Sequence, residues 1–287
     1  MNRLLQAGFA RLWKDTFFWI AAVFMMIFGA FRPTATYFEM KKYGYYETME
    51  NTLFMYVVFM AILVPVFVSL FIGTEYNDGT IRNKLIIGHS RTAIYLSNLI
   101  VSVSAGLLIC AAYLIIDLPV GFWLLGFFQV DDPMIILKFT GCSFVLCLAI
   151  SSLCTLASML RQSRAIASVI CILGMFFLLT VAIYIQSSFI HPEYYMDYGD
   201  YWEGGSTPDT EDWDESTEPT LIRNPNYIGG NKRKLYQFLQ DFLPGGQTIT
   251  LSVFDTADLG KMSLYSAIIT AVSTGAGIYF FRKKDIK

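Results

Sequence analysis

Apolar runs recur six times along the chain, at 17–31, 53–72, 93–116, 135–160, 165–185 and 263–281, separated by short polar segments and once by a long one. A helix needs about 20 apolar residues to cross the hydrocarbon of a bilayer, so the pattern predicts an all-α integral membrane protein with six transmembrane helices. The first run is short and has to draw Leu12, Trp13 and Thr16 in from the interface. Pro65 is expected to kink the second by freeing the carbonyl of Ala61. After the third, Asp117-Leu118-Pro119 reads as a helix break. The apolar stretch 120–128 beyond it is too short to cross, which suits a re-entrant turn or an interfacial helix.

Ahead of the first run, Leu5, Phe9, Leu12 and Trp13 follow i, i+4, i+7, i+8, with Arg3, Arg11 and Lys14 elsewhere round the wheel. That is the pattern of a helix lying along the interface. No small-residue cleavage pattern follows the first run, so it reads as an uncleaved span. The chain then divides into an interfacial helix at 1–15, spans one to five at 16–185, a long outer segment at 186–262, and span six with a basic tail at 263–287.

The polar stretch 73–98 between spans two and three cannot lie in lipid. Glu75, Asp78, Arg82, Lys84 and Arg91 would each cost about 2.5 to 3.5 kcal/mol at the centre of a spanning helix. Asp78-Gly79-Thr80 offers a turn and an N-cap, 81–87 a short helix, and Gly88 a C-terminal stop, placing the surface element at 78–88. Ile81 and Leu85 share a face with Arg82 and Lys84 beside them, so they are expected to form an apolar knob with a basic flank for a soluble partner.

Composition agrees with membrane residence: 55% of residues are apolar and 15% charged, against about 25% charged in soluble domains. All five cysteines fall inside apolar runs, where they serve as small apolar fillers. The formal charge of −2 hides an asymmetry. With the amino terminus inside, the inner segments hold twelve of the 21 basic and four of the 23 acidic residues, so the positive-inside rule places both termini in the cytoplasm.

The outer segment is acidic in its first half. Ten carboxylates stand between Glu193 and Glu218 with no Lys or Arg among them, interleaved with tyrosine and tryptophan. Glu193, Asp197, Asp200, Trp202, Asp212, Trp213 and Asp214 are the candidates for attracting cationic or amphipathic cargo at the outer mouth. The alternative is a solvated loop that keeps the outer surface soluble. In the second half Asn231 can cap a helix whose Leu235, Phe238, Leu239, Phe242 and Leu243 form one apolar stripe, ended by Pro244-Gly245-Gly246 and lying flat on the outer face.

Several chemistries are excluded. Two histidines, His89 and His191, cannot build a zincin motif or a histidine metal cluster, and neither a GxSxG nor a GxxxxGK[ST] pattern occurs. Lys138 is the one charge within the spans; Asp117 could pair with it, or the two could anchor separately at the interface. The absence of deep charges disfavours an ion-coupled carrier. Ser143, Cys147, Ser151 and Thr155 recur at i+4 in span four, a stripe that serves close helix packing or, with Pro65, lines a conduit. Nothing points to nucleic acid.

The stretch Glu75-Tyr76-Asn77-Asp78-Gly79-Thr80-Ile81-Arg82-Asn83-Lys84-Leu85 followed by Ser90-Arg91 resembles the E-[YF]-x-x-G-T-[IL]-x-x-x-L…[SP]-R signature of permease subunits of bacterial type-2 ATP-binding-cassette exporters. Phe242-Leu243-Pro244-Gly245-Gly246-Gln247 resembles the outer element that precedes their last span. The resemblance implies that Gly79 to Leu85 form a coupling helix docking on a separate ATPase, with Glu75, Tyr76 and Arg91 flanking it. ATP and magnesium would then sit on the partner and no cofactor on this chain. It further implies two ATPase copies, a second permease in a homodimer, and residence in the bacterial cytoplasmic membrane. In size and enlarged outer segment the chain looks most like exporters of amphipathic peptide toxins of the phenol-soluble modulin kind. Rival readings are a membrane peptide sensor or immunity protein without transport activity and, more distantly, a secondary carrier.

Overall fold

The computed structural model describes residues 1–161, 163–197, 220–225, 227–254 and 258–284, without the side chains of 195–197 and 220. Helix α1 (Asn2–Leu12) buries Leu4, Gly8 and Leu12 and leads into α2 (Thr16–Tyr43). Asp15 caps α2 by accepting the Phe18 N–H at 2.9 Å, and Gly44, at φ 71°, stops it. A short α3 (Met49–Leu53) precedes α4 (Tyr56–Asn77), and α5 (Thr80–Ile86) connects α4 to α6 (Arg91–Leu124). Then follow α7 (Met134–Leu160), α8 (Arg164–Phe189), strands β1 (Tyr194–Asp197) and β2 (Thr220–Arg223), α9 (Gly230–Phe242), α10 (Pro244–Ser252) and α11 (Leu259–Lys283).

Six helices are long and apolar enough to span a membrane: Thr16–Tyr43, Met49–Asn77, Arg91–Leu124, Met134–Leu160, Arg164–Phe189 and Leu259–Lys283. The protein is therefore an all-α integral membrane protein. The described departure from helix is the two-stranded antiparallel ribbon in the outer segment, with Tyr194 opposite Arg223 and Asp197 opposite Thr220. Within the bundle α4, α6 and α7 pack on one another, while α2 lies against α6, α11 against α7 and α8 against α4.

Two of the expected spans are longer than the apolar runs implied. Helix α2 passes through Pro33, and α6 continues without a break through Asp117 and Pro119 to Leu124. A proline inside a helix removes one hydrogen bond, and packing against a neighbour outweighs that loss. Here α2 and α6 touch backbone to backbone. A Cβ on Gly29 would stand 2.8 Å from the Tyr113 carbonyl oxygen; further along α6, one on Gly121 would meet the end of the Met49 side chain of α3 at 2.7 Å. Asp117 does not meet Lys138, whose ammonium lies 3.9 Å from Asp132 in an exposed pair.

The stripe on α7 is packing. Ser143, Cys147, Ser151 and Thr155 are completely buried, and the Ser143 hydroxyl lies 2.6 Å from that of Tyr56. With all four side chains fully enclosed, Ser143, Ser151 and Thr155 face helix neighbours within the single chain. Pro65 is buried in α4 beside a shallow crevice toward Ile172, Met175 and Phe176 of α8. All five cysteines are free and buried.

The outer helices also differ in detail. Helix α9 is capped by Gly229 instead of Asn231; it ends at Phe242, as expected before Pro244-Gly245-Gly246, and those three residues also open the next helix. Pro244 occupies the first turn of α10, where its missing N–H is harmless. Gly245 and Gly246 let that turn press on the backbone of α8 and α9, a Cβ there lying 2.3 Å from the Leu178 oxygen and 2.1 Å from the Gln240 oxygen respectively. Of the α9 stripe, Phe238 and Phe242 pack against Tyr265 of α11, while Leu235 is exposed.

Candidate functional site at the base of the bundle

Helix α4 does not end where its apolar run ends. It continues one turn further and carries Glu75 into the interior at 2% exposure. A carboxylate buried this deeply has to be paired and hydrogen-bonded. Glu75 Oε1 stands 2.6 Å from the Arg11 guanidinium of α1 and 2.5 Å from the Lys84 ammonium of α5, and Oε2 accepts from Asn98 Nδ2 of α6 at 2.8 Å. One side chain on α4 thus ties three other helices together. Arg11 itself lies 3.7 Å above the Phe71 ring and donates to the Phe71 carbonyl and to Thr74 Oγ1, fixing α1 against the same turn.

Helix α5 is shaped by its two ends. Gly79 precedes it at φ 65° and Gly88 follows at φ 95°, backbone conformations that suit glycine. The expected N-cap, Thr80, points elsewhere: its hydroxyl donates to the Glu75 carbonyl at 2.9 Å and closes the turn from α4. At the other end the His89 N–H reaches the Lys84 carbonyl and the Gly88 N–H the Leu85 carbonyl, a Schellman closure that satisfies the last carbonyls.

The orientation of α5 reverses the expected knob. Ile81 is 1% exposed and Leu85 packs half-buried against the core, whereas Ile86 and Ile87 are 75% and 76% exposed. Arg82 and Asn83 also face outward, and Lys84 turns inward to Glu75. The exposed apolar surface of this segment is therefore Ile86-Ile87, with Ile81 and Leu85 holding α5 onto the bundle.

Tyr76 and Arg91 join the end of α11 to this region. The Tyr76 hydroxyl donates to the Met159 carbonyl at 2.5 Å, and Lys284 Nζ donates to the same oxygen at 3.0 Å while lying 4.6 Å from the centre of the Tyr76 ring. Arg91 Nη1 donates to the carbonyls of Phe281 and Arg282 at 3.1 Å each, and to that of Lys284. It caps the carboxyl end of α11, where free carbonyls and the helix dipole favour a cation.

Lys284 makes this junction sensitive to pH. Burial, helped by Arg161, pulls its ammonium from the ordinary 10.5 down to about 8. Between those values the docked tail holds fewer protons than a free one, so docking strengthens as pH rises through that window and is weakest below it. A spin label in a Lys283→Cys variant is expected to become less mobile between about pH 7 and about pH 10, and Lys284→Leu to abolish the trend. Equal mobility at both values in the parent would refute it.

Arg11, Asn98 and Lys284 are the members of this cluster that the sequence reading missed. An isolated asparagine in an otherwise apolar span was the one local signal for Asn98. Of the outer candidates, Glu193 pairs with Arg223 at 3.6 Å beside the ribbon. The Asp197 side chain and Asp200, Trp202, Asp212, Trp213 and Asp214 lie outside what is described.

The cluster contains no nucleophile–base pair; what it can do is hold four helices in one electrostatic clasp and present two isoleucines beyond it. Residues 4–190, which include the whole clasp apart from the α11 end, match a family model described as an ABC-2 family transporter protein. No curated protein matches the chain.

Proposed function

The chain belongs to the ABC-2 family of transporter membrane proteins, and from that premise we propose that it is the permease of an ATP-driven exporter whose separate ATPase docks on α5. The observation that carries this reading is the glycine-bounded helix α5, which exposes Ile86 and Ile87 while Lys84 on the same helix is bound to the buried carboxylate of Glu75. A push on α5 is passed at once to α1, α4 and α6, which share that carboxylate. ATP and magnesium belong to the partner, and this chain performs no covalent chemistry.

The excess of basic residues at the end carrying α1, α5 and the end of α11 supports a cytoplasmic base with both termini inside a bacterial cytoplasmic membrane. Two copies of the chain, with two ATPase subunits, would form the conduit between them, since the polar stripe inside one protomer is fully packed. Amphipathic peptides of the phenol-soluble modulin kind are the cargo that the acidic, aromatic stretch after Glu193 best suits.

Purification from native membranes in mild detergent, followed by mass spectrometry, is the direct test. A stoichiometric soluble subunit carrying a phosphate-binding loop is the expected companion. An intact chain without one would favour a sensor or immunity protein.

A further inference from the structure

At the end of the bundle away from α5, the contact between α2 and α6 encloses an acidic side chain. Asp117 is 1% exposed, and neither carboxyl oxygen has a hydrogen-bond partner. One turn earlier on α6, Tyr113 is fully buried, and its hydroxyl, outside ideal hydrogen-bond geometry, is the polar group that faces the Asp117 carboxyl. Opposite them Gly29 brings the α2 backbone against α6, a Cβ there lying 3.3 Å from the Asp117 nitrogen.

The charges and titratable groups around Asp117 are few. Arg32, one turn beyond Gly29 on α2, supplies the positive charge that acts on it, yet donates instead to Thr36 Oγ1 at 3.1 Å. From α4, the Tyr56 ring stands 5.5 Å from that of Tyr113, with its hydroxyl engaged by Ser143. Helix α3 brings Glu50, which is occupied by the Gln129 N–H at 3.3 Å. An ionised carboxylate left unpaired at this burial is strongly disfavoured, and a carboxylic acid is not.

We propose that Asp117 is a proton-binding site within the membrane bundle, with Arg32 as the counter-ion that takes the proton's place. In the arrangement described, Asp117 is the neutral acid and Arg32 rests on Thr36. On release, the O–H bond breaks heterolytically, the electron pair stays on the carboxylate and the proton passes to water. The guanidinium then leaves Thr36 for Asp117 and draws the second half of α2 onto α6. Two seatings of α2 follow, selected by one proton, independent of whether an ATPase docks on α5.

Infrared spectroscopy of the full chain in lipid bilayers tests this without any transport assay. The carbonyl stretch of a protonated carboxyl, shifted by deuterium exchange, is expected at neutral pH and to fade as pH rises. Asp117→Asn should remove it. Arg32→Gln, which leaves Asp117 in place, should move the fading upward by about one pH unit or more as the carboxylate loses its cation. A band that survives Asp117→Asn but vanishes in Glu50→Gln would overturn the assignment. So would a titration that Arg32→Gln leaves unmoved, an outcome that can be read even if Asp117→Asn fails to fold.

Discussion

Glu75→Ala is expected to lower the stability of the chain by about 3 to 5 kcal/mol, the range for breaking a buried ion pair by removing one partner. Its loss strands Arg11, Lys84 and Asn98 together, because all three are directed at this carboxylate. Glu75→Gln should fall between the two, keeping an acceptor for Asn98 while losing the charge. Thermal unfolding of the detergent-solubilised protein checks the order, which should run parent, Gln, Ala from most to least stable. An alanine variant melting within about one degree of the parent would mean that the clasp contributes nothing to the fold.

The second large effect concerns binding and leaves the fold intact. Ile86→Asp with Ile87→Asp removes two side chains that are three-quarters exposed in the free chain. If a partner buries them, each contributes about 1.5 to 3 kcal/mol. Affinity for the ATPase should then fall roughly a hundredfold to ten-thousandfold. Melting of the permease alone should not change. Ile81→Asp should do the reverse, unseating α5 from its own bundle because Ile81 is already buried there. A binding curve of the double variant that overlays the parent would place the docking surface elsewhere.

The contrast between these isoleucines shows where the sequence stops being informative. A helical wheel states which residues share a face of α5, and Ile81 and Leu85 do. It does not state which face is turned inward; that is decided by Lys84 reaching Glu75 and by the turns at Gly79 and Gly88. Glu75 itself was legible as a charge too costly for lipid, which correctly ended the apolar run. Its burial depends on Arg11 and Asn98, far away in the chain, and local pattern carries no such pairing.

The six spans were readable because hydrophobic length is a property of each segment alone. Their ends were less so. Arg32-Pro33 and Asp117-Leu118-Pro119 read as boundaries by local rules, yet each helix runs on because the two are packed against one another at Gly29, while Gly121 further along α6 admits Met49 of α3. The same packing that overrides the local signals encloses Asp117, which sequence had placed at a border with Lys138 as its possible partner.

The clasp of Arg91 on the end of α11 has a consequence for biogenesis. Arg91 and its acceptor at Phe281 are 190 residues apart, so during synthesis the cation is in place long before the carbonyls it caps. Until the last span has been inserted, Arg91 lacks these acceptors and Tyr76 lacks Lys284 above its ring. A nascent chain halted before α11 would therefore expose α5 on an unfinished base. Recruitment of a soluble partner that senses the finished base would be delayed until insertion is complete, making the last helix a checkpoint on assembly.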